Sequence, residues 1–419
     1  MSKDFGLSSV AASWIVTGYS IVFAISSITY SRLSDFLPIR TLLTIGLSSL
    51  GAASVLGLFS HHYGVLLCAR LIQASGAASV PGLAIVLLSR YIPLSRRGKS
   101  MSVIMSATSL GLGLGPVIGG GITQYLGWNF LFAVTGITLL LIPLFYRLLP
   151  AEAKKEGTFD FPGAVLVGAG TTGLLMFLTG RSWIMLGVSL VALALFWVRI
   201  RRVKDPFIQP ALFRDKPYMS LSVLGIAAYI INFATLFVVP QILSHLYGLT
   251  AGQSGLLLFP GALISMLASN RIGKMIDRFG NGRLLRSAPW SLLASTVLFA
   301  LLAVQTYYAI MIGYVVMSIG FTALTTSVSN EMSRILPKDR TGSGMGLFQL
   351  TQFFSGAFSV AVTGDSLVLL KDQPLTSAYS DIYWGMTVVA LASVVCSLLY
   401  RSMKIDPAPP LKMEAAMPE

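Results

Sequence analysis

Of the sixteen acidic residues in this chain of 419, only Asp365, together with Glu331 at an edge, falls within the long apolar runs. A carboxylate in such a run can bind and release protons when water reaches it, which makes Asp365 the leading candidate for proton chemistry. By length it lies near the end of its run, so a plain interfacial carboxylate is the simpler alternative. Arg70 sits inside another run and opens Arg70-Leu71-Ile72-Gln73-Ala74-Ser75-Gly76-Ala77-Ala78. An Arg at mid-membrane depth costs about 2.5–3.5 kcal/mol, so it calls for a polar partner, a cavity or a transported ion. The alternative is a side chain that snorkels to the outer interface. Arg70, Gln73 and Asp365 form the proton-coupling set. His61, His62 and His245 lie apart from any Asp or Ser at catalytic spacing, which argues against a membrane-embedded enzyme. Cys68 and Cys396 lack metal or redox spacing, and no metal or cofactor is expected.

A second group of charges stands between the runs. Ser31-Arg32-Leu33-Ser34-Asp35-Phe36-Leu37-Pro38-Ile39-Arg40 ends one run on an acid and starts the next near a base. A carboxylate there can cap a helix start and pair with Arg, forming a charge latch. The pattern returns at Gly273-Lys274-Met275-Ile276-Asp277, with Arg278, Gly280 and Arg283 following, 242 positions later. A longer echo, Ser89-Arg90 through Arg97-Gly98 against Ser333-Arg334 through Arg340-Thr341-Gly342, is offset by 244. Two echoes nearly in register mark a duplicated bundle with a paired gate, the organisation of transporters that rock one half against the other. Gly111-Leu112-Gly113-Leu114-Gly115-Pro116-Val117-Ile118-Gly119-Gly120 adds small residues at helical spacing, which predict a bend and a tight helix–helix seal.

The elements that must hold these residues are transmembrane helices. With 54% hydrophobic and 11% charged residues, the chain departs from soluble domains, in which roughly a quarter of residues are charged. Runs of about 18–25 apolar residues recur along its length and give about thirteen spans. The fold class is all-α: a polytopic bundle with residues 1–148 as one half, 149–217 as a linker with two inserted helices, 218–403 as the second half and 404–419 as a tail. Basic residues fall in alternate connectors (Arg40; Arg90 to Lys99; Lys154 and Lys155; Arg199 to Lys216; Lys274 to Arg286; Arg334 to Arg340), a side predicted to be cytoplasmic along with the carboxyl terminus. The +14 charge is dispersed through these connectors, which suits anionic lipid and not nucleic acid. Tyr229, Asn232 and Phe233 share a helix face by three-and-four spacing, and Gln349, Gln352 and Phe353 repeat the pattern. Aromatic and amide groups together suit an amphiphilic small molecule; interhelical hydrogen bonding and lipid-facing rings are the alternative.

These motifs resemble the major facilitator superfamily, and within it the fourteen-helix drug:proton antiporters, most closely the tetracycline exporters of Gram-positive bacteria. The resemblance rests on Leu33-Ser34-Asp35 with Arg40, Ala69-Arg70 to Gln73 with Gly76-Ala77-Ala78, Arg90-Tyr91-Ile92-Pro93 with Arg97-Gly98-Lys99, and Gly115-Pro116 with Gly119-Gly120. Asp205-Pro206-Phe207 and Phe259-Pro260-Gly261 extend it over almost the whole chain. It implies a bacterial cell-membrane exporter, monomeric, that takes small drugs out in exchange for protons with no cofactor.

Three departures qualify it. The family's first helix is not found before Trp14-Ile15-Val16-Thr17-Gly18-Tyr19, which suggests a truncation and leaves Arg70 short of a partner. Leu112 and Gly356 stand where tetracycline exporters carry acids, which argues against tetracycline itself. Ser31 and Pro38 replace glycines of the family's loop motif. A metabolite transporter of the same fold and an inactive remnant are the competing readings.

Overall fold

The computed structural model of the chain describes residues 9–153, 158–203, 205–337 and 341–402. Lys154, Lys155, Asp339, Arg340 and the 404–419 tail lie outside the described residues.

Every described apolar run is helical, because a backbone surrounded by hydrocarbon must satisfy its own amides and carbonyls. The helices are α1 (Ser9–Leu33), α2 (Ile39–Leu58), α3 (Tyr63–Tyr91), α4 (Leu94–Tyr125), α5 (Phe130–Gly136), α6 (Ile142–Leu148), α7 (Phe161–Gly180), α8 (Trp183–Ile200), α9 (Lys216–His245), α10 (Ala251–Phe279), α11 (Gly282–Leu302), α12 (Tyr307–Ile335), α13 (Thr341–Leu369) and α14 (Leu375–Ser402). A 3-10 turn, Ile137–Leu141, joins α5 to α6, where Pro143 withholds a backbone donor, so the two form one span. Counting α5–α6 as one, the described residues thus contain thirteen long helices, five before the inserted pair α7–α8 and six after it, and eleven of them are long and apolar enough to cross a membrane.

Prolines set several of the ends. Ile92, Leu149 and Leu336 are extended and each precedes a proline, which disfavours helix at the residue before it. Caps set others: Asp160 accepts from the Gly163 amide, Asp215 from the Tyr218 amide, and Thr250 forms a capping box with Gln253. The basic segment Arg96-Arg97-Gly98-Lys99, read from sequence as connector, lies in the first two turns of α4. Its amides thereby become a helix N-terminus, which matters for the gate.

Small residues let the helices approach. A side chain on Gly76 would meet the backbone of Gly46 and Leu50, which fixes α3 against α2. Gly273 of α10 lies against Lys99 and Ser102 of α4, and Gly346 of α13 against Ile28 and Ser31 of α1. The two halves therefore meet along α4–α10 and α1–α13. The inserted helices pack on each other, and Trp183, Ile184, Leu190 and Val191 of α8 face outward.

Candidate functional site: a paired gate, a charged groove and a central cavity

At the basic end of the bundle two carboxylates close the seam between the halves. Asp35 accepts from the amides of Gly342 and Ser343, both at 3.1 Å, at the start of α13. Asp277 accepts from the amides of Gly98 at 2.8 Å and Lys99 at 3.1 Å, at the start of α4. Each acid belongs to one half and sits on amides near the positive dipole end of a helix in the other. Asp35 is nearly buried and also holds Arg32 (2.9 Å) and Arg90 (3.3 Å). Burial pushes its carboxyl above the ordinary carboxylate value, while Arg32, Arg90 and the Gly342 amide pull it back. Arg97 crosses the same seam to the Ser333 hydroxyl at 3.1 Å.

The basic partners differ from those expected. Arg40 lies over the Tyr146 ring, 3.3 Å from its centroid, because the first turn of α2 faces α6. Arg278, one residue and about 100° beyond Asp277, lies over Phe279, as does Arg283. None of the three makes an ion pair with Asp35 or Asp277. Two acids outside the expected set support this end instead. Glu152 accepts from the Ile39 amide at 2.7 Å and the Tyr91 hydroxyl at 2.6 Å. Glu331, buried, accepts from Asn281 (2.6 Å) and Tyr400 (2.9 Å) and pairs with Arg334. No local pattern in the sequence marks Glu152, whose contact with Ile39 joins positions 113 residues apart.

Arg70 and Gln73 stand in the first half. Arg70 donates to Gln73 at 2.6 Å and lies over the Tyr19 ring, 4.3 Å from its centroid. Gln73 in turn donates to Ser54 and Thr135, at 3.0 and 2.9 Å. Arg70 also lines a groove of about 640 Å3 between α3, α4 and α5, with Gly111, Gly115 and Gly119 along one wall. Among the described residues the expected tight seal is not made. Gly111, Gly115 and Gly120 have no described heavy atom near enough to touch an added side chain, since no described helix crosses that face. The side chain of Pro116 lies outside the described residues. In the second half α9 packs on α12, α13 and α14; the groove lies on the corresponding helices of the first.

Asp365 is removed from both features. It is half-exposed on α13 and lies 3.9 Å from Arg181, in the turn between α7 and α8. An acid so placed, paired with Arg181 and partly open to solvent, matches the interfacial carboxylate that its position near the end of the run allowed.

Where the halves meet in the interior, a small cavity of about 30 Å3 is lined by Pro81, Ile85, Ile104, Met105 and Thr108 from one half and Tyr229, Thr325, Ser329, Gln349, Gln352 and Phe353 from the other. Gln349 ties the halves together, accepting from Ser27 at 2.7 Å and donating to the Pro81 carbonyl at 3.0 Å. Phe353 packs edge-on to Phe23 of α1 and to Tyr229, whose ring also meets Phe233 and Phe321. Asn232 does not line the cavity; it is buried with its Oδ1 unpartnered. Its three-residue step from Tyr229 carries it round α9, whereas Phe233 at the fourth stays beside the ring. The apolar wall was not foreseen, although Pro81 and Thr325, Ile85 and Ser329, Met105 and Gln349, and Thr108 and Gln352 are each 244 positions apart.

Repeated halves, a reciprocal gate and an interior cavity on the seam define a membrane transporter. The chain belongs to the Major Facilitator Superfamily, whose family model matches residues 1–360. It is 24% identical to the riboflavin transporter RibZ of Clostridioides difficile, over 96% of this chain and 91% of that protein. It is 26% identical to the multidrug efflux pump LfrA of Mycolicibacterium smegmatis (87% and 75%) and 27% identical to the cephamycin export protein CmcT of Amycolatopsis lactamdurans (94% and 85%). The crystal structure of the human organic anion transporter MFSD10 (TETRAN) superposes with a TM-score of 0.67 at 16% identity, covering 90% of this chain and 83% of that one, which is a likeness of fold.

Proposed function

We propose that this chain is a secondary active exporter of small amphiphilic compounds, of the fourteen-helix drug:proton antiporter type, working by alternating access. The observation that carries the reading is the pair Asp35 and Asp277, each seated on a helix start of the opposite half. Such contacts close one end of the seam and are undone by a rocking motion, so they suit a carrier and have no role in a channel or an enzyme. The positive residues at that end support a cytoplasmic position for it. Gly115-Pro116 and the export described for LfrA and CmcT favour outward transport. Proton entry supplies the energy without a bound cofactor, with Arg70 and Gln73 as the coupling residues inside the bundle.

A second reading, transport of a metabolite, is favoured by the likeness to RibZ, a riboflavin transporter that matches almost the whole chain. The two separate in one assay. Accumulation of fluorescent drugs and of riboflavin is measured in an efflux-deficient bacterium expressing the chain or its Asp35→Asn variant, with and without a protonophore. Drug accumulation lowered only by the unsubstituted chain, and only while the gradient stands, supports the exporter. A change confined to riboflavin selects the second reading, and no change for any compound sinks both.

A further inference from the structure

The central cavity carries a statement about charge and shape. Among its described lining residues there is no Asp, Glu, Lys, Arg or His. A permanent cation entering it leaves water at an effective cost of several kcal/mol and meets no carboxylate. Aromatic faces return about 2 kcal/mol at most to a desolvated cation, so the balance is against charge.

The polar groups that remain are specific. Gln349 has already committed its carboxamide to Ser27 and Pro81. Gln352 is 3% exposed, lines the cavity, and its carboxamide makes no hydrogen bond among the described residues. A ligand that pairs with this carboxamide gains a hydrogen bond worth about 0.5–1.5 kcal/mol. A carboxamide offers one donor and one acceptor side by side. Its complement is the N–H and C=O edge of a lactam or imide. Beside it the rings of Tyr229 and Phe353 stand 5.6 Å apart, edge to face, and offer surfaces on which a flat ring can lie. Opposite are Ile85, Ile104 and Met105, an apolar wall. The present volume, about that of one water molecule, shows that the halves must part before such a ligand enters.

We infer that the cavity takes an uncharged, planar aromatic compound with a lactam or imide edge, paired to Gln352 and stacked on Tyr229 and Phe353, and that it discriminates against permanent cations. This rests on the seam cavity being the transport site of the function proposed above.

Binding to the purified full chain in lipid nanodiscs tests it, with empty nanodiscs as the baseline for partition into lipid. The probes are 1,8-naphthalimide, N-methyl-1,8-naphthalimide, which lacks the N–H, and the flat cation N-methylacridinium, followed by fluorescence. Saturable naphthalimide binding is expected, about tenfold tighter than that of its N-methyl form, the equivalent of one hydrogen bond at about 1.4 kcal/mol. Gln352→Leu should abolish that preference, and Gln352→Glu, nearly the same shape, should admit the acridinium. The inference is overturned if naphthalimide shows no saturable binding, if wild type binds the acridinium as tightly, or if the preference survives in both variants. Equilibrium binding needs no gradient. Its failure alongside drug export removes only the substrate class, whereas binding without any transport removes the exporter and leaves the class standing.

Discussion

Asp35 and Asp277 are 242 residues apart in sequence and perform the same act in opposite directions: each carboxylate of one half receives two consecutive amides from a helix start of the other. The amides themselves correspond, since Gly98 and Gly342, and Lys99 and Ser343, are 244 positions apart. On the proposed alternating-access cycle, opening this end breaks both contacts.

The carboxyl of Asp35 is held above its ordinary value of 3.8 chiefly by burial. In the parted state it is hydrated and returns to that value. The closed state therefore binds the proton more tightly, and acidification through the interval above 3.8 should favour closure. Distances between spin labels on α1 and α13 should shorten as pH falls through it, and Asp35→Asn should flatten the response. A response of opposite sign would mean that pairing with Arg32 and Arg90 outweighs burial.

At Gly98 an added Cβ would lie 2.7 Å from Asp277 Oδ1 and against Ile276. Gly98→Ala should wedge the gate apart at a cost of about 1–3 kcal/mol. In a background with Cys68 and Cys396 replaced, a cysteine placed at Ser102, buried against Gly273, should react faster with a membrane-impermeant maleimide in the Gly98→Ala protein. An unchanged rate would show that the seam absorbs the methyl group.

Ser27, Gln349 and the Pro81 carbonyl bridge three helices. Gln349→Leu removes both bonds, and Ser27→Ala leaves one carboxamide oxygen unserved at about 1–3 kcal/mol. The double variant should cost less than the sum of the singles in thermal unfolding in detergent, by about 0.5 kcal/mol or more. Strict additivity would deny the coupling.

Arg70 uses its flat guanidinium twice, on Gln73 and over Tyr19, in ways an ammonium cannot reproduce. Arg70→Lys should fold, as judged by a symmetric gel-filtration peak, yet lose proton-coupled transport by at least tenfold in vesicles. Transport within twofold of wild type would reduce Arg70 to a structural role.

Asp365→Asn should leave transport within twofold and stability nearly unchanged, since an exposed pair at 3.9 Å contributes under about 1 kcal/mol. A large loss of transport would restore the acid to the proton pathway.

The helices, their repeat and the two gate acids were legible because membrane spans and duplicated motifs are written in local patterns. The partners of those acids were not. Arg40 is close to Asp35 in sequence but turned toward Tyr146, while Arg90, 55 residues away, arrives through packing of α3. Tyr229, Gln349, Gln352 and Phe353 were found by helical spacing, which is blind to what lies across the seam; Ile104 and Met105 are ordinary apolar residues in any one-dimensional reading. The glycines of α4 announced close approach correctly as a capacity, and only the three-dimensional arrangement shows that face open.

The cavity's paired positions have parted company chemically. Where both halves must do one job, at the gate, duplication kept the same letters: aspartate answers aspartate and glycine answers glycine. Where a guest molecule has two unlike sides, isoleucine now faces serine, and methionine faces glutamine. On the proposed cycle each arm carries its own side of the cargo through the swing, so a passenger need not turn over, and one wall can be rewritten for a new cargo while the lock stays as inherited.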